Sequence, residues 1–386
     1  MAKNAQGAGS IRQRKNGTWE ARFSAGRDPG TGKIIRKSVY GRTQKEVRQK
    51  LTAATAAVDL GTYSTPERLT FGEWLTIWEN EYCGAIKPRT KELYHRTVEY
   101  RIRPFLGGTR LQELSPVVLQ KYYNKSLAGL SEDVPAISEK TLRNVHGMIH
   151  KALSQAVAVG YIRSNPAAVC VLPKAKRQEL HPLDEQQTRD FIQAAENESL
   201  RRLFLVALFT GMREGELLGL CWDNIDFSSG TIHIVQQLQR HAGEYKLMPT
   251  KNSKPRTIAP AAFVMQLLRE ERSSQAAAQL LAGPAWQNSQ SFVFTNAIGE
   301  HMKRQTVYRH FKNLVSRIDL PGVRFHDLRH SYAVAALRAG DDPKTVSETL
   351  GHASVAFTLD VYGHVTDDMR RSSSQRMQHY IDAINS

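Results

Sequence analysis

The sequence predicts a multidomain, mainly α-helical protein that carries small β-sheets. Three observations lead there. A chain of 386 residues is long enough for two or three separately cored domains. Short apolar runs punctuated by turn residues occupy its N-terminal end, and apolar residues recurring every three or four positions dominate residues 70–168. Another extended segment, TIHIVQQLQ and onward, interrupts the helical pattern of the C-terminal half.

Residues 1–9 are small, polar and glycine-rich and read as a flexible lead-in. In the segment that follows, Asn16-Gly17 and Asp28-Pro29-Gly30 are turn signals between runs holding Trp19, Phe23, Ile34, Ile35 and Val39. They predict a three-stranded antiparallel sheet, then a helix from about Gln44 to Leu60, opened by Thr43 as N-cap and closed near Gly61. Residues 62–69 read as a linker. Beyond them Thr70 with Glu73 is a capping-box signature, and Ser138 is the N-cap of a helix striped by Leu142, Val145, Ile149, Leu153 and Val157. A bundle of about four helices over 70–168 results, ended by Ser164-Asn165-Pro166. Residues 169–181 read as an extended basic linker. From residue 182 the chain reads as mixed α/β: SLRRLFLVALFT as a buried helix broken at Thr210-Gly211, then a hairpin from TIHIVQQLQ and the stretch Tyr245 to Ile258. A helix from His326 to Ala339, stopped by Gly340, and a short DPKTVSETL helix, stopped by Gly351, complete the reading.

The net charge is +16, and residues 1–65 hold 13 Lys and Arg against 4 Asp and Glu, a net +9. Such an excess points to a polyanionic partner without choosing between DNA, RNA and an acidic membrane surface. With hydrophobic residues at 41%, broad disorder is excluded. Cys83, Cys170 and Cys221 are isolated and read as reduced thiols, neither disulfides nor a zinc site. The histidines show no metal-ligand spacing with Cys, Asp or Glu, and there is no P-loop, so no metal and no cofactor is expected. No apolar signal region or membrane-spanning stretch is seen, and the expected location is the cytoplasm, away from membranes.

The most informative residues are scattered over the C-terminal half. Arg213 lies in TGMREGELLGL, Lys251 in PTKNSKPRTI, His326 and Arg329 in FHDLRHSYA, His352 in ETLGHAS and Tyr362 in TLDVYGHV. Two guanidiniums, a lysine, two imidazoles and a phenol suit a phosphodiester. Arginine grips phosphate oxygens with a planar fork, lysine and histidine donate protons, and a tyrosine oxygen can attack phosphorus.

In this order the strings resemble the tyrosine recombinase family, the integrases of phages and conjugative transposons. The resemblance is most specific from 203 to 365. It implies catalytic roles for Arg213, Lys251 (with Lys254 as the alternative), His326, Arg329, His352 and Tyr362, and a supporting role for Glu216. By the same resemblance Tyr362 attacks the scissile phosphate to form a 3′-phosphotyrosyl link, so the bond broken supplies the energy for rejoining. It also implies three domains: 1–65 as an arm-type DNA-binding sheet, 70–168 as a helical, SAM-like core-binding domain, and 182–386 as a catalytic domain ending in an exchange helix. Arg89, Lys91, Arg96, Arg101 and Arg103 are candidates for phosphate contact on the second of these. The implied partners are double-stranded DNA at core and arm-type sites, three further copies of the chain in a tetramer on that DNA, and an accessory excision factor. Two rival readings share part of the set: a type IB topoisomerase, and a catalytically silent DNA-binding regulator of the same fold. Tyr332 is read as core, Tyr380 as packing, and His330 and His364 as structural or solvated.

Overall fold

The computed structural model describes residues 10–27, 33–59, 69–174, 181–241, 243–250, 255–352, 354–362 and 366–385. The expected lead-in, the Asp28-Pro29-Gly30 turn, residues 62–68 and 175–180 of the two linkers, Lys251, Lys254 and His364 lie outside these residues. The chain divides into two compact units, Met1–Arg177 and Gln178–Ser386.

The first unit opens with β1 (Ser10–Gln13), β2 (Trp19–Arg27) and β3 (Ile34–Gly41), an antiparallel sheet in that order. Ile11 lies opposite Ala21, and Trp19 opposite Gly41. Helix α1 (Gln44–Asp59) follows, with Thr43 Oγ1 accepting from the Glu46 amide at 3.2 Å. Alternation along β2 sends Ala21 and Phe23 into the core, which Val47 of α1 shares. On the opposite face, Glu20 is also buried, beneath Arg12, Arg14 and Arg22, whose guanidiniums approach it at 2.7, 3.1 and 3.2 Å.

Four helical runs form the rest of this unit. α2 (Phe71–Ile77) continues through a π-helical turn, Trp78–Tyr82. α3 (Pro88–Thr97) continues through a second π-helical turn, Val98–Ile102, into α4 (Arg103–Leu106). α5 (Pro116–Ala128) and α6 (Glu139–Ala158) complete the set. The Thr70–Glu73 capping box forms in both directions, and Ser138 caps α6 through the Thr141 amide. Leu142, Val145, Ile149 and Leu153 are buried with Phe71, Trp74, Leu75 and Trp78, while Val157 is partly buried at the margin. The Trp74 indole donates to the Ala152 carbonyl at 2.9 Å, fixing α2 on α6.

Of the candidate phosphate ligands, Arg103 is engaged within the fold. Arg103 donates through Nε to both Glu99 oxygens (2.9 and 3.1 Å), through Nη1 to the Gly72 carbonyl (3.0 Å) and through Nη2 to Thr76 Oγ1 (2.9 Å). It joins α4 to α2. Arg101 donates to the Pro135 carbonyl, whereas Arg89, Lys91 and Arg96 are exposed.

The second unit contains α7 (Glu185–Ala195), α8 (Arg201–Thr210) and α9 (Glu214–Leu218). The strands β4 (Ile225–Asp226), β5 (Thr231–Ile234), β6 (Gln236–His241), β7 (Glu244–Pro249) and β8 (Arg256–Ile258) come next. Six more helices follow: α10 (Ala262–Ala282), α11 (Arg304–Arg317), α12 (Asp327–Ala339), α13 (Pro343–Leu350), α14 (Val355–Tyr362) and α15 (Thr366–Asn385). Residues 203–208 of α8 are all buried, so it is the central helix of the larger core, as its unbroken apolar run predicts.

The single expected hairpin is instead two sheets. β5 pairs with β4 and β8, with Ile232 opposite Ile258, whereas β6 pairs with β7, with Leu238 opposite Leu247. The break falls at Val235, between two stretches that read as one strand because both alternate. A second, smaller correction is that α12 starts at Asp327, with His326 at its N-cap.

Leu153 is fully buried between helical runs, and Leu153→Ala leaves a cavity there. The expected loss is about 2–5 kcal/mol, read as a lower urea midpoint of the full chain by far-UV circular dichroism.

Candidate active site

The site is built around the C-terminal end of α13. Asp342 caps the other end, accepting from the Lys344 and Thr345 amides at 2.9 and 3.0 Å, and Pro343 occupies the first turn. Gly351, at φ +64, stops the helix in the left-handed conformation. The last carbonyls of a helix lack intrahelical partners and carry the negative end of its dipole. Three arginines take successive carbonyls here. Arg256 Nε donates to Thr349 O at 2.7 Å, Arg329 Nη2 to Leu350 O at 2.5 Å, and Arg213 Nη2 to Gly351 O at 2.9 Å.

Glu216 locks two of these arginines together. Its carboxylate accepts from Arg213 Nη1 at 2.7 Å, from the Arg213 amide at 3.0 Å, and from Arg256 Nη1 and Nη2 at 3.0 and 2.7 Å. Only 1% of Glu216 is exposed. Burial alone would push its pKa up, but the Arg256 hydrogen bonds and the charges of Arg256 and Arg213 outweigh that and hold it at about 2. The carboxylate thus stays ionised and both forks stay fixed.

Local backbone places the two motif arginines. α8 ends at Gly211 with φ +62, and a Cβ there would come within 2.5 Å of Leu350 Cδ2 and 2.7 Å of Tyr332 Cδ1. Glycine therefore supplies both the left-handed turn and the close approach. The chain then reverses so that Arg213 becomes the N-cap residue of α9. The freed Gly211 carbonyl accepts from Arg329 Nη1 at 2.8 Å, and Arg329 is 3% exposed.

The histidines report the resulting field. His352 follows Gly351, with Nδ1 hydrogen-bonded to the buried hydroxyl of Thr358 at 2.8 Å. Burial, then Arg329, Arg213, His330 and Arg256, push its pKa down to about 3. His326 packs edge-on against buried His330, ring centroids 5.1 Å apart. Desolvation, His330, Arg329 and Arg213 bring its pKa to about 4. His326 is exposed by surface area, so water screens part of that desolvation, and the neighbouring cations are the firmer cause. Both imidazoles are neutral at pH 7 in the free protein. An anion bound among these arginines would raise both pKa values.

Hydrogen bonds thus bring Arg213, Glu216, Arg329 and the Gly351-His352 peptide together at one helix end, and the charges of Arg213 and Arg329 act on His326 as well. Tyr362 is the last residue of α14, one helical turn beyond Thr358. Lys251, outside the described residues, belongs to the segment between β7 and β8. Tyr332, read as core, is half-buried, and Tyr380 is 63% exposed.

Sequence reasoning missed Arg256 and Thr358. For Arg256 a signal existed: it sits two residues before buried Ile258, so strand alternation puts a charge on the inward face of β8. Thr358, flanked by Phe357 and Leu359, gave no such sign.

Comparison with known proteins supplies the family. A family model described as "Phage integrase family" matches residues 181–369, and one described as "Phage integrase, N-terminal SAM-like domain" matches residues 70–127. The chain belongs to the phage integrase family. It is a tyrosine recombinase, as the motif strings implied. A XerC-like tyrosine recombinase of Caldanaerobacter subterraneus is 28% identical, covering 94% of this chain and 97% of that protein. The ICEBs1 integrase of Bacillus subtilis is 23% identical, over 95% of this chain and 99% of its own. Among solved structures, the Tn1549 transposon integrase in complex with a circular intermediate DNA superposes with a TM-score of 0.68 at 21% identity. It covers 80% of this chain and 99% of its own. A lambda integrase dimer bound to a COC′ core site gives 0.54 at 20% identity, over 91% and 94%. At such identities these two likenesses establish the shared fold. Neither the topoisomerase nor the silent-regulator reading is favoured by these relatives. Among the described residues no helix is long and apolar enough to cross a membrane.

Glu216 provides a pH-dependent test of the arginine lock. Its folded pKa of about 2 lies below the ordinary 4.5, so the unfolded chain binds this proton more readily. The stabilisation is complete above about pH 4.5 and fades as pH falls toward 2. Glu216→Gln should cost about 3–5 kcal/mol at pH 7, the usual penalty for removing one partner of a buried ion pair. Thermal melts from pH 7 to pH 2 should show a flatter acid limb in the variant than in the parent.

Proposed function

We propose that this recombinase cuts and rejoins double-stranded DNA at specific sites through a covalent link to Tyr362, integrating and excising a mobile element. The observation that carries this reading is the set of arginines at the end of α13. Arg213, Arg256 and Arg329 bring three positive charges against the single charge of Glu216, with two neutral histidines beside them. Such a site has a place for a phosphodiester and no need of a metal to balance it.

In the proposed reaction the Tyr362 oxygen attacks the scissile phosphorus and displaces the 5′-oxygen of the next nucleotide. A 3′-phosphotyrosyl ester forms and a 5′-hydroxyl leaves. Arg213 and Arg329, oriented by the carbonyls of Gly351, Leu350 and Gly211, neutralise charge growing on the non-bridging oxygens. A free phenol has a pKa of roughly 10, and the same positive field helps its proton to leave. His326 relays that proton, His352 donates to the phosphate, and Lys251 protonates the leaving 5′-oxygen. Attack by a 5′-hydroxyl on the phosphotyrosyl bond reverses the step and joins strands without ATP.

The rest of the chain serves DNA placement. In this reading the sheet and α1 bind arm-type DNA through the exposed guanidiniums of Arg12, Arg14 and Arg22, and the four helical runs bind the core site. The lambda integrase tetramer solved on a Holliday junction supports a tetrameric synaptic complex, at 20% identity and a TM-score of 0.54. Met377, Tyr380, Ile381 and Ile384 of α15 are exposed, which suits docking of this helix on a neighbouring subunit. The reading places the protein in the cytoplasm, where an accessory factor sets the direction of recombination.

Tyr362→Phe should abolish the covalent protein–DNA adduct on denaturing gels while leaving core-site binding within about twofold, since a single oxygen is lost. An adduct that persists in Tyr362→Phe and disappears in Tyr380→Phe would overturn the assignment. Lysine keeps the charge of arginine but loses its fork, so Arg213→Lys and Arg329→Lys should each slow single-turnover cleavage by ~10²–10³. Near-parental rates in both variants would show that neither holds the scissile phosphate.

A further inference from the structure

The helical runs of the first unit carry a cluster that strand exchange does not use. Glu79 lies in the π-helical turn Trp78–Tyr82. His95 lies in α3, and Glu99 four residues on, in the π-helical turn Val98–Ile102. One ligand atom from each of the three residues lies within 4.8 Å of the other two. π-Helical turns are rare and occur frequently at functional sites. Here each of the two carries one of the carboxylates.

Glu79 is the telling residue. It is 6% exposed, its Oε1 is buried without a hydrogen-bond partner among the described residues, and its Oε2 lies 3.4 Å from His95 Nδ1. An unsatisfied buried polar atom is costly, and more so on a carboxylate. The neighbouring packing, with Trp78 stacked on Tyr94 at 5.7 Å, gives no reason for an acid at this position. Glu99 is engaged by Arg103 Nε, but an ionised carboxylate offers about four acceptor positions and retains room for another partner. The His95 side chain is 65% exposed, which opens the cluster to solvent and to an incoming ion.

We propose that Glu79, His95 and Glu99 form a binding site for a divalent transition-metal ion of the Zn²⁺ class. One imidazole and two carboxylates suit such an ion, whereas Mg²⁺ favours oxygen ligands alone. The ion would give the buried Glu79 carboxylate a charged partner and clip the run 71–82 to the run 88–106. Its role is stabilisation of the helical bundle, separate from the phosphodiester chemistry.

The test uses the full-length protein after chelation and dialysis, titrated with Zn²⁺ or Mg²⁺ alone by calorimetry and thermal unfolding. The expected result is one Zn²⁺ per chain and a Zn²⁺-dependent rise in Tm, with a much smaller response to Mg²⁺. His95→Ala, a change at an exposed side chain with little folding risk, should weaken that binding at least about tenfold, the lower end of what a lost supporting contact costs a metal site. Glu79→Gln should do the same. An unchanged Zn²⁺ response in His95→Ala places the ion elsewhere and overturns the site. So does a parent without a Zn²⁺ response.

Discussion

The candidate active site depends on one constraint: the carbonyls at the end of α13 must be met by positive groups. Thr349, Leu350 and Gly351 accept from Arg256, Arg329 and Arg213, so strand β8, helix α12 and the turn before α9 converge on a single point. Were these carbonyls left without partners, the helix end would carry the cost of buried unsatisfied acceptors. Met by guanidiniums, it becomes an electropositive seat whose donors are already oriented. The same bonds that stop the helix thus align the groups a phosphate needs, which is preorganisation in the strict sense.

Glu216 turns this convergence into a rigid assembly. A carboxylate with 1% exposure between Arg213 and Arg256 has lost its hydration and is worth keeping only if both partners stay in place. Its ionisation, with a pKa held at about 2, removes one positive charge and leaves the excess that depresses His326 and His352. An anion bound among these arginines would offset that field and raise both imidazole pKa values.

Away from this site, carboxylates and carbonyls of the first unit also set the direction of arginines. Glu20 draws three arginines onto the sheet, and Arg103 is spent on Glu99, Gly72 and Thr76. In both cases an ion pair sets side-chain direction. Glu79 is different, since its buried Oε1 meets no hydrogen-bond donor among the described residues.

The sequence alone determined most of the helices, several of their ends and the family of the chain. The Thr70–Glu73 box, the Ser138 cap, the apolar stripe through Leu153 and the stop at Gly351 act over a few residues, so neighbouring chain is sufficient to specify them. The motif strings around Arg213, His326, Arg329 and His352 were legible because chemistry restricts which side chains can serve. Only the tertiary structure decided how distant segments meet. Arg256 reaches Glu216 across 40 residues and Thr349 across 93, and Glu79 joins His95 across 16. The split of one expected hairpin into two sheets depends in the same way on partners beyond the strand itself, since alternation states which face is buried and not which neighbour buries it. Charges and hydrogen bonds act through space, and the path of the folded chain sets those distances.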